Sequence, residues 1–325
     1  MLKDIKRASF KHKNNKFKYY FLNYLAWVTP ACFFRRQLAK KLILPENENE
    51  RNYILDRVNY YNKLSEKNIL PDTAIRLRDL SISKQKVYAF DTYRIARYFP
   101  QGVKFCPLFG DITYIPDVPS LVKTRPIAGD NAHSVLFKLD KIRHFLFLND
   151  KNKFEKKKNM LVWRCKTECP RSHTLQEHRI RFFAQYFDHP MCNIGQVNNG
   201  QTSQFIRPRL TLEEHLKYKF ILCVEGWDVA SNLKWVMSSN SLAVMPQPKY
   251  ESWFMEARLV PNVHYVLIKD DYSDLEERLN YYIKNTDEAL AIIENAHRYV
   301  APFKNKKREE QIALLVLDKY FKMTN

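Results

Sequence analysis

The sequence is poor in glycine, with six glycines among 325 residues. The G-x-G-x-x-G pattern of dinucleotide-binding folds and the Walker A loop of P-loop NTPases are both absent. Because these loops need glycine where the backbone closely approaches a phosphate, ordinary sites of both kinds are excluded. No D-x-D sequence occurs either, and its absence removes the usual carboxylate clamp for a metal-bound nucleotide substrate.

Long apolar runs and paired cysteine motifs are also missing. No apolar run approaches the ~20 residues needed to span a bilayer, and nothing resembles a cleaved signal peptide. Cys165 and Cys169 lie four apart, but no second Cys or His pair lies at zinc-finger spacing. We therefore expect a cytosolic protein with reduced thiols, no structural zinc and no membrane-spanning helix.

What the sequence has in excess is positive charge, with a formal net charge of +19. Residues 1–42 contain eleven Lys or Arg and a single acid, Asp4, interleaved with aromatic side chains. Such a segment suits an anionic membrane surface, a nucleic acid or a plain solvated tail, and composition alone leaves the three alternatives open. The length suits two domains, and the 45% of hydrophobic residues predicts a well-cored, folded protein.

The first half of the chain shows mixed patterns broken by proline. The predicted elements are a surface helix at 46–68, a strand entering a short helix at 86–99, a strand followed by an extended loop at 109–127, and a buried helix or strand at 134–145. The segment 150–159 is highly charged and has no apolar face. It is predicted to be a hinge between two domains.

The second half alternates short apolar runs with helical patterns, which predicts a parallel sheet covered on both faces. The predicted strands are 159–165, 219–226, 241–246 and 264–269. The predicted helices are 175–187, 210–218, 228–240, 273–285 and 287–300, and Ser273 is expected to cap the fourth of them with a Glu three residues later.

A candidate phosphate site follows the strand 219–226. The strand ends in Glu225-Gly226, and the helix is expected to start between Asp228 and Ser231, where free N–H groups would face a diphosphate. Gly226 would let the backbone come close, Ser231 and Asn232 could donate hydrogen bonds, and Lys234 could neutralise charge. The alternative is an ordinary strand–turn–helix with Asp228 as the N-cap.

Arginine and aspartate near other strand ends add further candidates. Arg164 and Arg179 are natural phosphate clamps, although surface arginines are common. Asp111 and Asp130 each lie in a glycine-containing turn, and either carboxylate could act as a general base. The competing interpretation for both aspartates is a turn-former or cap.

Five stretches of the chain resemble glycosyltransferase family 90, in particular its lipopolysaccharide A protein group. They are residues 109–131, 141–147, 162–179, 224–256 and 260–279, in consistent order. The resemblance implies a GT-B architecture with two Rossmann-like lobes. It also implies inverting transfer from a UDP-sugar without a metal or other cofactor.

The resemblance also implies roles for individual residues. The catalytic base matches Asp111, and the donor site matches Arg164, Arg179 and the segment from Gly226 to Lys234, with Ala230, Ser231, Asn232 and Lys234 as its contacts. To these we add Glu225 as a donor contact, and Asp130 and Asn131 as possible acceptor or donor contacts. Two positions depart from the family pattern. Cys165 stands where the family has a glycine, and Asn232 stands where the eukaryotic enzymes have an arginine.

Taken together, these features predict an α/β protein with four parts. They are a basic amphipathic arm (1–45), an N-terminal acceptor-side lobe (46–155), a nucleotide-sugar-binding lobe (156–300) and a C-terminal helix (301–325). The expected reaction moves glucose or galactose from a UDP-sugar to the inner core of lipopolysaccharide, by an enzyme peripheral to the cytoplasmic face of the inner membrane. Transfer to a protein serine, or a nucleic-acid-binding protein with no enzymatic activity, are the alternatives.

Overall fold

The computed structural model describes residues 14–83, 85–168, 174–198 and 202–325. Residues 1–13 of the predicted arm, and Cys169, therefore lie outside the described residues. The chain forms two compact units. We call the described residues 146–248 and 258–302 the sheet unit, and residues 14–145, 249–257 and 303–325 the helical unit.

The α-helices, in chain order, are α1 Lys16–Val28, α2 Cys32–Arg35, α3 Leu38–Leu42, α4 Glu48–Tyr61, α5 Lys86–Ala96, α6 Lys141–His144, α7 Glu177–Tyr186, α8 Leu212–His215, α9 Leu233–Val236, α10 Leu275–Lys284, α11 Thr286–Val300 and α12 Lys306–Thr324. The strands are β1 Ile75–Arg76, β2 Lys104–Phe105, β3 Pro107–Leu108, β4 Ser120–Val122, β5 Thr124–Pro126, β6 Ser134–Leu136, β7 Lys158–Cys165, β8 Cys192–Gln196, β9 Tyr218–Leu222, β10 Leu242–Met245, β11 Tyr250–Ser252 and β12 Val266–Leu267. Among these helices none is both long and apolar enough to cross a bilayer.

The sheet unit is built on a five-stranded parallel sheet in the order β12-β10-β9-β7-β8. Every residue of β9 and β10 is buried, as expected for strands covered on both faces. In register, Val162 of β7 lies between Ile221 of β9 and Asn193 of β8. The predicted α/β class, with its parallel sheet, is confirmed.

The predicted helix at 228–240 is wrong over most of its length. Only Leu233–Val236 is helical, and residues 227–232 form turns instead. The Gly226 N–H donates to the carbonyl of Asp228, which tightens the turn after β9. The side-chain amide of Asn232 donates to the carbonyl of Leu222 at 2.8 Å. This bond ties the residue before α9 back to β9, and the helix begins only after it.

Two further expectations fail for local reasons. Ser273 does not cap α10, because its hydroxyl donates to Asp271 and the N-cap position is Asp274. The segment 150–159 begins just after the division between the two units at Phe145 and Leu146, but the expectation that it has no apolar face is wrong. Phe154 is fully buried in the sheet unit, and the buried ammonium of Lys157 donates to the Asp150 carboxylate at 2.7 Å, with further bonds to Leu216 and Ser241.

The helical unit contains three small sheets: parallel β3-β4-β6, and the antiparallel pairs β1-β2 and β11-β5. Residues 86–96 of the segment 86–99 form the single helix α5, so the strand predicted at its start is wrong. Its β-branched and aromatic residues favour a strand locally. Ala89, Phe90, Asp91, Thr92, Ile95 and Ala96 are all buried, however, so most of the circumference of this helix is covered by the rest of the helical unit.

A buried ionic network joins α4 to α12. The Glu309 carboxylate of α12 pairs with the Arg57 guanidinium of α4 and accepts from Lys138 at 2.5 Å and from the Trp253 indole at 2.8 Å. Trp253 in turn stacks on Tyr61 with ring centroids 3.9 Å apart. Because two cations share one buried carboxylate, the C-terminal helix is an integral part of the helical unit's core.

Candidate active site

The carboxyl ends of β7 and β9 meet at one edge of the parallel sheet, where ligands of open α/β sheets bind. Arg179 of α7 lies across this edge. Its guanidinium donates to the carbonyls of Lys166 at 2.8 Å, Val224 at 3.3 Å and Glu225 at 3.1 Å. Burial lowers the pKa of Arg179, but an arginine starts so far above neutrality that it stays a fixed cation at this edge.

Gly226 lies directly beside this arginine. A Cβ atom added at Gly226 would be 2.9 Å from Nη2 of Arg179 and 3.8 Å from the side-chain oxygen of Gln176. Only glycine therefore lets the chain after β9 pass so close to the guanidinium. The structure thus brings together two of the predicted donor-site residues, Arg179 and Gly226.

Arg164, the other predicted phosphate clamp, is placed differently. Along β7, Trp163 and Cys165 are on one face and Arg164 is on the other, since successive side chains of a strand alternate. Arg179 lies over the Trp163 ring at 5.4 Å, on the face opposite to Arg164. The Arg164 guanidinium donates to the carbonyls of Trp163, Asn193 and Pro208 and to the Asn193 side chain, so it ties β7, β8 and residue 208 together.

The remaining predicted donor residues lie in the turn between β9 and α9, except Lys234, which lies within α9. Ser231 is exposed, Ala230 and Lys234 are buried, and the Asn232 amide is bound to Leu222 as described above. The Glu225 carbonyl accepts from both His178 and Arg179. Because α9 has only four residues and begins at Leu233, no long helix starts between Asp228 and Ser231 in this described segment, and a phosphate contact here stays a prediction.

Two residues at this edge carry no sequence signal as donor contacts. Trp227 follows Gly226 and keeps 36% of its surface exposed, which is unusual for so large an apolar side chain. Gln176 precedes α7 and is buried, and its side-chain oxygen has no hydrogen-bond partner. Both residues lie in stretches that resemble the family, 162–179 and 224–256, but only the fold shows that they reach this edge.

In the helical unit, Asp111 lies just after β3. Gly110 before it has φ +129°, a conformation that glycine adopts readily, so the chain turns sharply here. The Asp111 carboxylate forms an ion pair with Lys123, which follows β4. The Lys123 side chain is only 2% exposed, whereas the Asp111 side chain is 35% exposed. A buried cation thus fixes a carboxylate that solvent can reach, and the role of Asp111 as a general base stays a prediction.

Asp140 is a second carboxylate in the same neighbourhood. Burial raises the pKa of Asp140 to about 6, with Arg143 and Lys123 lowering it and Asp91 and Asp111 raising it further. Its backbone is left-handed, with φ +53°. Neither Asp140 nor Lys123 was predicted as a site residue, because their proximity to Asp111 depends on the pairing of β3 with β4 and on long-range packing.

The two other candidates, Asp130 and Asn131, have local structural partners. The Asp130 carboxylate accepts from the Ala132 N–H at 3.2 Å, as in an Asx turn. Asn131 is buried, donates to the carbonyl of Pro126 and accepts from Lys63. Asp130 also lines an open depression in the helical unit. A contact with substrate at either residue stays a prediction.

We next consider whether side chains in the described residues are grouped so that they could bind a metal ion. Across the described ranges, no group of three or more His, Cys, Asp or Glu side chains is placed to hold a metal ion. The five described cysteines are free thiols. Burial raises the pKa of Cys165 and of Cys192 to about 12, so both stay protonated at neutral pH and are poor metal ligands and nucleophiles.

Comparison with known proteins agrees with the resemblance noted from the sequence. The chain is 39% identical over 312 residues to the O-glucosyltransferase LpsA of Dichelobacter nodosus, and the alignment covers 95% of this chain and 96% of that protein. Two viral proteins are similar over a shorter segment. Uncharacterized protein 035R of Invertebrate iridescent virus 3 is 32% identical over 28% of this chain and 8% of its own length. Uncharacterized protein 179R of Invertebrate iridescent virus 6 is 29% identical over 30% of this chain and 9% of its own length.

The model of the family described as glycosyl transferase family 90 matches residues 138–325. This range includes β7, β9 and the edge occupied by Arg179 and Gly226. Because the family model covers more than half of the chain and one relative aligns over nearly all of it, this protein is a glycosyltransferase that belongs to glycosyl transferase family 90.

Proposed function

We propose that the enzyme transfers a hexose from a UDP-sugar to a sugar hydroxyl in the inner core of lipopolysaccharide. Of the two candidate donors, we propose UDP-glucose as the first choice and UDP-galactose as the second. The observation that carries this proposal is the 39% identity, over almost the full length of both chains, to a protein named O-glucosyltransferase LpsA. In this proposal the sheet unit is the donor-binding lobe of a GT-B architecture and the helical unit is the acceptor lobe.

The proposed chemistry inverts the anomeric centre in one displacement. Asp111 removes the proton of the acceptor hydroxyl, that oxygen forms a bond to the anomeric carbon, and the bond from this carbon to the UDP oxygen breaks. The proton ends on the Asp111 carboxylate and the electron pair leaves with UDP. Lys123 holds the carboxylate in place, which supports a single productive orientation of the base.

The leaving diphosphate needs positive charge, which we assign to the protein and not to a metal. Arg179 supplies a fixed cation at the carboxyl edge of the sheet, and the absence of a side chain at Gly226 leaves room for its guanidinium there. Such preorganised charge stabilises a departing oxyanion without reorganisation during the reaction. Lys234, Ser231 and Asn232 are proposed as further contacts of the donor.

The proposed acceptor is anionic and anchored in a membrane. A protein of net charge +19 attracts such a substrate over long range. We therefore place the enzyme at the cytoplasmic face of the bacterial inner membrane as a peripheral protein.

The first test is the thermal stability of the purified protein with UDP, in the presence of EDTA and then of manganese. We expect UDP alone to raise the melting temperature, with no further change on adding metal. Stabilisation that appears only with manganese would refute the metal-free donor site. No response to UDP at all would refute the donor class.

The second test is turnover with UDP-glucose and UDP-galactose on a truncated lipopolysaccharide acceptor. The variant Asp111→Asn should lose transfer by at least about a thousandfold, within the range attributed to general-base catalysis. It should nevertheless keep its response to UDP, because Asp111 is not proposed to contact the diphosphate. Near-normal turnover of this variant would remove Asp111 from the mechanism, and transfer to a protein acceptor instead would overturn the proposed substrate.

A further inference from the structure

An apolar stripe runs along the exposed side of helix α1. Phe17 is 80% exposed and Val28 is 73% exposed, and Phe21 and Leu25 between them are each more than half exposed. The four positions follow the spacing i, i+4, i+8 and i+11, which places their side chains on one face of the helix. We call these four residues the α1 stripe.

The opposite face of α1 is fixed to the helical unit. The Tyr19 hydroxyl donates to the buried Asp91 carboxylate of α5 at 2.8 Å, and Asn23 is buried. The Trp27 ring packs on the Tyr93 ring of α5 with centroids 4.5 Å apart, and Tyr24, which flanks the stripe, packs on the Phe90 ring. The helix therefore cannot rotate to bury its stripe without breaking a buried hydrogen bond and these ring contacts.

The surroundings of the α1 stripe are positive. Residues 14–45 contain six Lys or Arg and no Asp or Glu. Five of these basic residues are exposed, namely Lys16, Lys18, Arg35, Arg36 and Lys40. Two more large apolar side chains, Phe33 and Ile43, are more than half exposed on the same segment.

We infer that the α1 stripe inserts into the interface of an anionic lipid bilayer, with α1 lying in the membrane plane. A lipid surface supplies both the apolar phase for the stripe and the negative charge for the basic residues. A protein partner fits less well, because lysine is depleted in protein–protein interfaces. At 13 residues α1 is roughly 20 Å long, too short to span the bilayer core but suited to lie on it.

This inference rests on the proposed function only for the identity of the membrane, so it is tested without any sugar. The protein is sedimented with vesicles of phosphatidylcholine, with or without about 30% phosphatidylglycerol. The wild-type protein should bind the anionic vesicles, and this binding should weaken at high salt. The variant Phe17→Ser/Phe21→Ser/Leu25→Ser should lose affinity by roughly tenfold or more, because three inserted apolar side chains are removed.

A matched control replaces three exposed apolar residues elsewhere in the chain, Ile69→Ser/Tyr114→Ser/Val260→Ser. Both triple variants keep every basic residue, so a purely electrostatic association would leave them equal. Circular dichroism and thermal unfolding of both variants check that each remains folded. The control should bind anionic vesicles as the wild-type protein does.

Three results would overturn the inference. They are failure of the wild-type protein to bind anionic vesicles, equal binding by the stripe and control variants, and a dimer in solution that only the stripe variant abolishes. The last result would mean that a second copy covers the stripe. Vesicle binding with no response to UDP would instead refute the proposed donor site and leave this inference standing, so the two failures are distinguishable.

Discussion

Adding one methyl group at Gly226 should disturb the donor edge of the sheet unit through a single identifiable contact. The Cβ of an alanine at this position would be 2.9 Å from Nη2 of Arg179, whereas ordinary van der Waals contacts begin at 3.4 Å. The guanidinium would have to move by about half an ångström (3.4 − 2.9 Å). It is not free to do so cheaply, since three carbonyl groups hold it.

The cost follows from the weakest of those bonds. The Nη2 group of Arg179 donates to the Val224 carbonyl at 3.3 Å, close to the limit of a hydrogen bond, and any outward shift breaks it. A hydrogen bond to a charged group contributes about 1.5–3 kcal/mol. We therefore expect Gly226→Ala to lower the free energy of unfolding by about 1–3 kcal/mol and to weaken UDP binding by roughly tenfold.

Urea unfolding and calorimetric titration with UDP measure the two effects. Gly102→Ala is the matched control, because a Cβ at Gly102 meets no atom within 4 Å. If the clash acts through Arg179, the double variant Gly226→Ala/Arg179→Ala should be no less stable in urea unfolding than Arg179→Ala alone. Identical behaviour of Gly226→Ala and Gly102→Ala would refute the reasoning, as would full additivity in the double variant.

Two further predictions concern stability. Glu309→Gln leaves the buried charges of Arg57 and Lys138 without their carboxylate and should lower the free energy of unfolding in urea by about 3–5 kcal/mol. The neighbouring variant Glu310→Gln breaks a partly exposed ion pair and should lower it by at most about 1 kcal/mol. Equal losses in the two variants would contradict a stabilising role of the buried ionic network. The folded-state pKa of Asp140, about 6, is above its ordinary value of 3.8, so the wild-type protein should lose stability as pH rises between these values. The variant Asp140→Asn carries no such charge. It should be more stable than wild type by about 2–3 kcal/mol above pH 6 and equally stable below pH 3.8. A stability difference that does not change with pH would contradict it.

The sheet of the sheet unit was predictable because its signal is local. Short apolar runs such as 219–226 alternate with helical patterns, and that alternation alone favours a parallel sheet. The helix at 228–240 was overpredicted for a related reason. Its apolar residues have helical spacing, but the Asn232 side chain bonds to Leu222, a residue of the preceding strand. The spacing of apolar residues in the sequence gives no information about such hydrogen bonds between a helix and a strand.

Buried charges were the least predictable feature of this chain. The segment 150–159 has the composition of a solvated hinge, yet Lys157 is buried against partners 59 and 84 residues away. In the same way, Lys123 gave no signal as the partner of Asp111. Lysine side chains are almost always exposed. A buried lysine therefore cannot be predicted from its neighbours in sequence, because the groups that bind it are distant along the chain.

The two arginines of the donor motif show how far a motif determines geometry. Sequence spacing treats Arg164 and Arg179 as equivalent clamps, and each guanidinium donates to three carbonyl groups. They lie on opposite faces of β7, however, and only Arg179 lies beside Gly226. Arg179→Ala should therefore abolish stabilisation by UDP. Arg164→Ala should lower stability by about 1–3 kcal/mol, as expected for lost hydrogen bonds of a charged group, while leaving UDP affinity within about threefold of wild type. Calorimetric titration of both variants with UDP decides between these roles, and a larger affinity loss in Arg164→Ala would show that the face of β7 carrying Arg164 binds the diphosphate.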